Sequence, residues 1–491
     1  MAKQEGFHDL PLAPPSGGKE LWRWLRDELR TAILVGRLKR GARLPSSRGL
    51  AREYQCSRGT VVRAFEHLRA EGYIEARRGA GTFVALELPD DSLAARRPRV
   101  RVLNQPSRAG LSKRGRMTTE HVITLPPSRS VGRAFRSYEP AIDLFPVNLW
   151  SRIAGRVVRR APRSLYGQGD ARGYAPLRKA IADYIGATRG VRCEPDQVLV
   201  TAGAQQALDL VGRLLLDPGD AVWMEDPGYP GAAWAFRAAG ARILPAPLDR
   251  EGLRTDWIRR QRRKARLVYT TPANQFPLGM TMSLPRRLQL LNWALSEGVW
   301  IVEDEYDAEY RYFGPPVPAL QSLDESGSVI YIGTFTKMLF NSLRLGFIVV
   351  PKRLVDAFVA GRSLADRHPP ALEQAILAEF MLEGHFGHHV RRMRQVYAER
   401  MTALVESAKG RLSGCLDVHP VASGMRTIGW IRNGESDVAV AERARSRGLE
   451  LAALSHFAVR YMPQPGLILG FAGCTPTELH RGVDLLASVL G

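Results

Sequence analysis

Leu21, Leu25, Leu29, Ile33 and Leu34 recur at helical intervals in ELWRWLRDELRTAILVGR, so residues 20–37 read as an amphipathic helix with one apolar face. Leu44-Pro45-Ser46-Ser47 then offers a serine cap for a short second helix, SSRGLAREY, with Arg48 and Arg52 on its successive turns. Gln55-Cys56 reads as a turn, and Ser57 caps a third helix, SRGTVVRAFEHLRAEG. The apolar face of that helix is Val61, Val62, Phe65 and Leu68, which leaves Ser57, Arg58, Thr60 and Arg63 pointing away from it. After Gly72, the stretches Tyr73-Ile74-Glu75-Ala76 and Thr82-Phe83-Val84 flank the glycine-rich turn Arg77-Arg78-Gly79-Ala80-Gly81, the pattern of a two-stranded wing. Two short helices joined by a tight turn, the second opening on polar and basic residues, suit entry into a DNA major groove by a helix N-terminus.

The pattern changes from about residue 139. Short β-branched runs, QVLVT (197–201), AVWME (221–225), LVYTT (267–271), VWIVEDE (299–305), VIYIG (329–333) and LGFIVV (345–350), alternate with helical segments such as LRKAIADYIGA and AQQALDLVGRLLL. This alternation predicts an α/β unit with a mainly parallel sheet, helices on both faces, and ligands at the C-terminal ends of the strands. Between the two patterned regions, residues 88–138 lack a sustained apolar period and carry Pro89, Pro98, Pro106, Pro126 and Pro127. They read as an extended linker, either a plain spacer or one that also grazes DNA phosphates. The expected organisation is a tail over 1–18, a winged helix-turn-helix over 19–87, the linker over 88–138 and an α/β domain over 139–491.

Composition sharpens this. A chain of 491 residues has room for about three units, each able to bury a core. The net charge of +21 favours polyanionic partners, and 27 basic against 13 acidic residues in the first 138 concentrate that charge at the N-terminal unit. No stretch reaches the ~18 apolar residues of a membrane span, and the first residues lack the apolar core of a signal peptide. Cys56, Cys193, Cys415 and Cys474 are far apart without CxxC spacing, which argues against a disulfide framework or a zinc site and fits a cytoplasmic protein.

The strand ends carry chemistry. QVLVT is followed by Ala202-Gly203-Ala204-Gln205-Gln206, where small residues at a helix start expose backbone N–H groups to an anion. VWIVE leads into Asp304-Glu305-Tyr306-Asp307, and VIYIG into Thr334-Phe335-Thr336-Lys337 with Arg344 seven residues on. A single lysine after a strand is ordinarily a solvated loop residue, and an acidic run is ordinarily an exposed turn. Together, a desolvated lysine, an acid able to face a protonated ring nitrogen, and a phosphate cup are what pyridoxal phosphate requires.

The pattern LPSSRxLA…SRGTVxxAxxxLxxEGYI…RRGAGTFV over residues 19–85 resembles the winged helix of GntR-family regulators. LYGQGDARGYAPLRKAIADY, VTAGAQQALDL, EDPGYPG, IVEDEYDAEYRY and IGTFTKMLFNSLRLGFIVVP resemble a fold type I aminotransferase domain, so the chain as a whole resembles MocR-type regulators. The resemblance implies operator DNA contacts from Arg48, Ser57, Arg58, Thr60, Arg63, Arg78 and Gly79. It implies pyridoxal phosphate joined to Lys337 as an internal aldimine, with Asp304 on the ring nitrogen, Tyr306 on the ring oxygen and Tyr229 stacked on the ring. Gly203, Ala204, Thr334, Thr336 and Arg344 would surround the phosphate. Asn274 or Gln275 would also touch the ring oxygen, and Tyr166 would reach the phosphate of the other subunit in a head-to-tail homodimer.

Two departures stand out. Gly231-Ala232-Ala233-Trp234 lacks the arginine that many members have after this turn, and Leu467-Ile468-Leu469-Gly470-Phe471 lacks the arginine with which aminotransferases grip a carboxylate. Arg426 and Arg460 lie off that motif. The expected function is a transcriptional regulator that senses pyridoxal phosphate or an amine. The rival readings are a working aminotransferase with an appended DNA-binding domain, and a DNA-binding protein whose second domain is only a scaffold.

Overall fold

Ser46 and Ser57 fold the N-terminal unit as their positions anticipate. In the computed structural model, which describes residues 20–89, 110–119, 134–462 and 464–491, the Ser46 side chain accepts from Gly49 N at 3.1 Å and starts α2 (Ser47–Glu53). Ser57 accepts from Thr60 N at 3.1 Å and starts α3 (Arg58–Ala70). Both α2 and α1 (Leu21–Leu34) pack on α3 in one shared core, to which α1 turns its buried residues Leu25, Leu29, Ala32 and Ile33; Trp22 of α1 is also buried. Leu34, expected on the apolar face, is exposed; Trp22 and Ala32 complete that face instead. In α3 the buried set is Val61, Ala64 and Leu68, with Val62 and Phe65 only half-buried. The wing is the antiparallel pair β1 (Ile74–Arg77) and β2 (Gly81–Val84), closed by Gly79 at φ +78°.

The chain divides into two compact units between Ala109 and Gly110, inside the expected linker. The expected tail and linker residues 90–109 and 120–133 lie outside the described residues. Within the linker the structure adds a short helix, Lys113–Thr119, that no apolar period announced.

All six β-branched runs form strands of one eight-stranded sheet. In chain order its strands are β3 (Val198–Thr201), β4 (Ala221–Asp226), β5 (Arg242–Asp249), β6 (Gly252–Leu253), β7 (Leu267–Thr270), β8 (Trp300–Glu305), β9 (Val329–Thr334) and β10 (Gly346–Val349). Their spatial order is β3-β10-β9-β8-β7-β4-β5-β6. The contiguous set from β5 through β4, β7 and β8 to β9 is parallel, whereas β10 runs antiparallel to both its neighbours. Strand β5 carries Pro245 and Pro247, which hid it from a reading by β propensity. Pro247 O accepts from Arg254 N on the side away from β4, so the missing N–H groups of both prolines fall on the outer side and cost no bond to β4.

This arrangement brings the C-terminal ends of β3, β4, β7, β8 and β9 to one edge. Because Gly346 pairs with both Thr201 and Thr334, the residues just before β10 also arrive there. A second, four-stranded antiparallel sheet is formed by β11 (Leu416–Val418), β12 (Arg426–Ile431), β13 (Ala452–Ala453) and β14 (Gly466–Gly470), in the order β11-β12-β14-β13. It packs against the long helix His385–Arg411 and the final helix Pro476–Leu490 in a shared core.

Candidate functional site

Strand alternation sorts the acids of β8. Glu303 and Glu305 face one way: Glu303 accepts from Leu320 N and Gln321 N, and Glu305 pairs with the Arg189 guanidinium and the Tyr331 hydroxyl. Asp304 faces the other way and is buried, so the acidic run is not an exposed turn. Its Oδ2 accepts from Tyr269 Oη at 2.7 Å, while its Oδ1 makes no hydrogen bond with any described residue. Burial, with Glu305, Glu225 and Asp307 nearby, pushes this carboxyl up to about 7 against the opposing pull of Tyr269.

Lys337 follows β9 and is held by its Nζ, which donates to Tyr138 O at 2.8 Å and lies 5.4 Å from the centre of the Tyr138 ring. Burial lowers its ammonium to about 8, aided by the charge of Arg426 and resisted by Asp307. Tyr138 in turn stacks on Phe276 with ring centres 6.4 Å apart. It belongs to a strap in which Phe135 bridges to Gly470 and Arg136 pairs with Glu139 and Glu450. The sequence reading assigned this strap to the linker and missed it; it is a wall of the site.

Around the expected phosphate position, Gly203 at φ +80° precedes the helix Ala204–Leu215, whose first turn has no side-chain cap. A Cβ on Gly203 would come within 3.2 Å of the Arg344 guanidinium, so the loop and the arginine approach as only glycine permits. Arg344 donates to Ala202 O at 2.8 Å. Thr334 Oγ1 accepts from Thr336 N at 3.2 Å, and the buried Thr336 Oγ1 makes no hydrogen bond with any described residue. Free helix N–H groups, a guanidinium and an unpartnered hydroxyl together form an anion cup.

Tyr229 caps the helix Pro230–Ala238 and meets Phe276 edge-on at 5.5 Å. Its ring folds over Gly231, where a Cβ would sit 2.5 Å from a ring carbon. Tyr306 Oη donates to Asn274 O at 2.8 Å and accepts from Arg426 Nη2. Asn274 Nδ2 donates to Asp307 Oδ1 at 2.7 Å, so Asn274 belongs to this cluster. Gln275 does not: its amide is turned to Glu225 and to the carbonyls of Pro227 and Phe276.

The structure therefore brings together Lys337, Asp304, Tyr306, Tyr229, Gly203, Ala204, Thr334, Thr336, Arg344 and Asn274 at one sheet edge. Tyr166 is apart from them, 58 % exposed with its hydroxyl donating to Val158 O. The residues fit pyridoxal phosphate: Asp304 Oδ1 lacks a donor where the ring nitrogen would supply one, and Thr336 Oγ1 lacks a partner where a phosphate would accept. Sequence reasoning missed Tyr269 and noted Arg426 only as lying off the arginine motif, yet both belong to the site. Tyr269 lies in a strand buried on both faces, so no alternation marked the side it faces; Arg426 arrives through the pairing of β12 with β14.

In the N-terminal unit, Arg48, Ser57, Arg58, Arg63, Arg78 and Gly79 are exposed and Thr60 half-exposed. The hydroxyls of Ser57 and Thr60 meet at 2.9 Å, and Arg58 Nε donates to Ser47 Oγ at 3.5 Å, which joins the starts of α2 and α3. Arg63 is placed differently: its guanidinium lies 4.3 Å over the Trp22 ring of α1.

A winged helix-turn-helix and a fold type I site in one chain define a class of DNA-binding regulator with an aminotransferase-like domain. The chain belongs to the gntR family of bacterial regulatory proteins that carry an aminotransferase class I and II domain, the two models matching residues 23–84 and 151–486. It is 42% identical over 470 residues to the probable rhizopine catabolism regulatory protein MocR of Rhizobium meliloti, covering 95% of this chain and 93% of that one. It is 32% identical to the HTH-type transcriptional regulator YdeL of Bacillus subtilis, covering 97% and 96%. Among solved structures it resembles LysN, the α-aminoadipate aminotransferase of Thermus thermophilus complexed with N-(5'-phosphopyridoxyl)-L-leucine, at 31% identity and a TM-score of 0.68, covering 73% of this chain and 92% of that one. The protein is a transcriptional regulator whose second domain is of the pyridoxal-phosphate-binding type. Among the described residues no helix is long and apolar enough to cross a membrane, and no cluster of ligands could hold a metal ion.

Proposed function

We propose that this regulator acts in the cytoplasm as a head-to-tail homodimer, reads operator DNA through α3 and the wing, and uses Lys337 to sense pyridoxal phosphate or an amine. The observation that carries this reading is the pairing of a lysine lowered to about 8 with a buried carboxylate oxygen that lacks a donor, in a chain that also carries a winged helix. When bound, pyridoxal phosphate supplies an aldehyde carbon that condenses with primary amines. Lys337 supplies the amine on the protein side. Asp304 holds the proton of the ring nitrogen, and Tyr306 with Asn274 orients the ring oxygen. The Ala204 helix start, Thr336 and Arg344 fix the phosphate, with Tyr166 contributed from the other subunit.

Lys337 would hold the cofactor through its amine; with no such bond, its Nζ donates to Tyr138 O. For the ligand to switch anything, it must bind two arrangements of the dimer with different affinity. On the DNA side, Arg48, Ser57, Arg58 and Thr60 at the starts of α2 and α3, with Arg78 and Gly79 at the wing tip, hold the duplex. Arg63 joins them only by leaving Trp22.

A second reading, a working aminotransferase with an appended DNA-binding domain, draws support from the Arg426 guanidinium beside Tyr306. Incubating the cofactor-loaded protein with an amino acid and a keto acid separates the two. The regulator reading expects a change in visible absorbance without steady product formation; sustained turnover overturns it in favour of the enzyme.

A further inference from the structure

Strand β14 (Gly466–Gly470) and the Phe471 that follows it carry no arginine, but the neighbouring β12 does. Ile428 of β12 pairs directly with Ile468 of β14, and cross-strand partners share a sheet face. Arg426, two residues before Ile428, therefore projects from that same face. Its own partner in the register is Gly470, which has no side chain to compete for the space. The guanidinium that the sequence motif lacks is thus supplied from the adjacent strand.

Its surroundings are specific. Arg426 is only 6 % exposed and lies over two aromatic rings, 4.5 Å from the centre of Phe276 and 5.1 Å from that of Tyr306. Nη2 donates to Tyr306 Oη, and Nη1 is 4.0 Å from Asp307 Oδ2. Nε is buried and makes no hydrogen bond with any described residue. An arginine N–H left without an acceptor in such a place is unfavourable unless a ligand supplies one. Phe276, which lies under the Arg426 guanidinium, also stacks on Tyr138, whose carbonyl accepts from Lys337 Nζ, so the arginine and the reactive lysine flank the same aromatic pair.

We propose that Arg426 anchors the ligand amine, donating from Nε to an oxygen that the amine carries near its reactive nitrogen. This rests on the sensor reading above and names the chemistry of what is sensed: an amine with an oxygen acceptor, not a plain alkylamine. The acceptor is either a carboxylate or a hydroxyl. Asp307 already faces the guanidinium and offsets part of its charge, so the anchor does not require an anion.

The test uses three amines of matched length: propylamine, 3-amino-1-propanol and β-alanine. Each is titrated into the cofactor-loaded full-length protein, and its apparent Kd is read from the visible absorbance and from the shift in unfolding midpoint. The wild-type protein binds one of the oxygen-bearing amines about tenfold or more tighter than propylamine, the range of a charge-assisted hydrogen bond. Preference for β-alanine identifies a carboxylate acceptor and preference for aminopropanol a hydroxyl. In Arg426→Gln the ratio falls to within about twofold, and in Arg426→Lys, which keeps the charge and the buried stem, it is intermediate. Ratios within each variant are compared, so a change in cofactor content does not affect the outcome. Equal binding of all three amines by the wild type, or a preference that survives in Arg426→Gln, overturns the proposal while leaving the sensor reading standing. A wild-type protein that takes up no pyridoxal phosphate overturns both.

Discussion

Replacing Asp304 with Asn separates the cost of this buried carboxylate from its use. In the cofactor-free protein Asp304 Oδ1 has no donor, and burial raises the group from 3.8 to about 7. A carboxyl raised on folding destabilises the native state wherever the unfolded chain is ionised and the folded one resists ionisation. The penalty is absent below about pH 3.8, grows between pH 3.8 and 7, and is complete above that window. At about 1.4 kcal/mol per pH unit, it reaches on the order of 4 kcal/mol at pH 8. Asp304→Asn removes it, so the cofactor-free variant is more stable than the wild type at pH 8, and the advantage narrows as the pH falls towards 4. With cofactor the order changes. The ring nitrogen of pyridoxal phosphate loses a charged acceptor worth about 1.5–3 kcal/mol, which weakens binding roughly 10- to 150-fold. Thermal unfolding of the stripped proteins at pH 5 and pH 8, followed by absorbance titration with pyridoxal phosphate, measures both effects. A variant no more stable than wild type at pH 8 that binds the cofactor equally well refutes the placement of Asp304.

Other residues give sharper single outcomes. Lys337→Ala abolishes covalent attachment of the cofactor, and an unchanged absorbance of the lysine-bound form in that variant contradicts the assignment. With its ammonium lowered to about 8, Lys337 is about one-tenth uncharged at pH 7 against roughly one part in three thousand for an ordinary lysine. The rate of cofactor attachment therefore climbs with pH and levels off above about 8; a rise that continues to pH 10 contradicts the lowered value. Gly203→Ala, at φ +80° and against Arg344, costs about 1–2 kcal/mol of stability and weakens phosphate binding, read by calorimetry and by titration with inorganic phosphate. Arg58→Ala weakens operator binding by about 1–3 kcal/mol if it reads a base and leaves the cofactor absorbance alone. Operator affinity equal to wild type rules out this placement of α3.

Much of this architecture is written locally. Serines at positions 46 and 57 mark two helix starts because a side-chain acceptor before an apolar-periodic run has few other uses, and the six β-branched runs form strands because each is buried on both faces. The cofactor residues follow from strand ends, since parallel strands share one C-terminal edge. What was not legible depended on partners distant in sequence. Leu34 fits the helical period but falls beyond the reach of the core that Trp22 and Ala32 complete. Strand β5 hides behind two prolines whose harmlessness depends on which side β4 lies. Tyr138 sits in a segment with no period of its own, and its carbonyl matters only because Lys337, 199 residues away, donates to it. Arg426 reads as an isolated arginine until the β12–β14 register sets it opposite Gly470.

The central claim is that ligand chemistry at Lys337 alters DNA binding by the same chain. Operator affinity should be measured at one fixed salt concentration, because a chain of net charge +21 also binds DNA without specificity. The stripped protein, the pyridoxal-phosphate-loaded protein and the loaded protein with a reactive amine are compared, each alongside Lys337→Ala. The account predicts that at least one of the two additions shifts operator affinity severalfold in the wild type and that Lys337→Ala does not respond. Identical affinity in all three wild-type states, with the cofactor demonstrably bound, contradicts it.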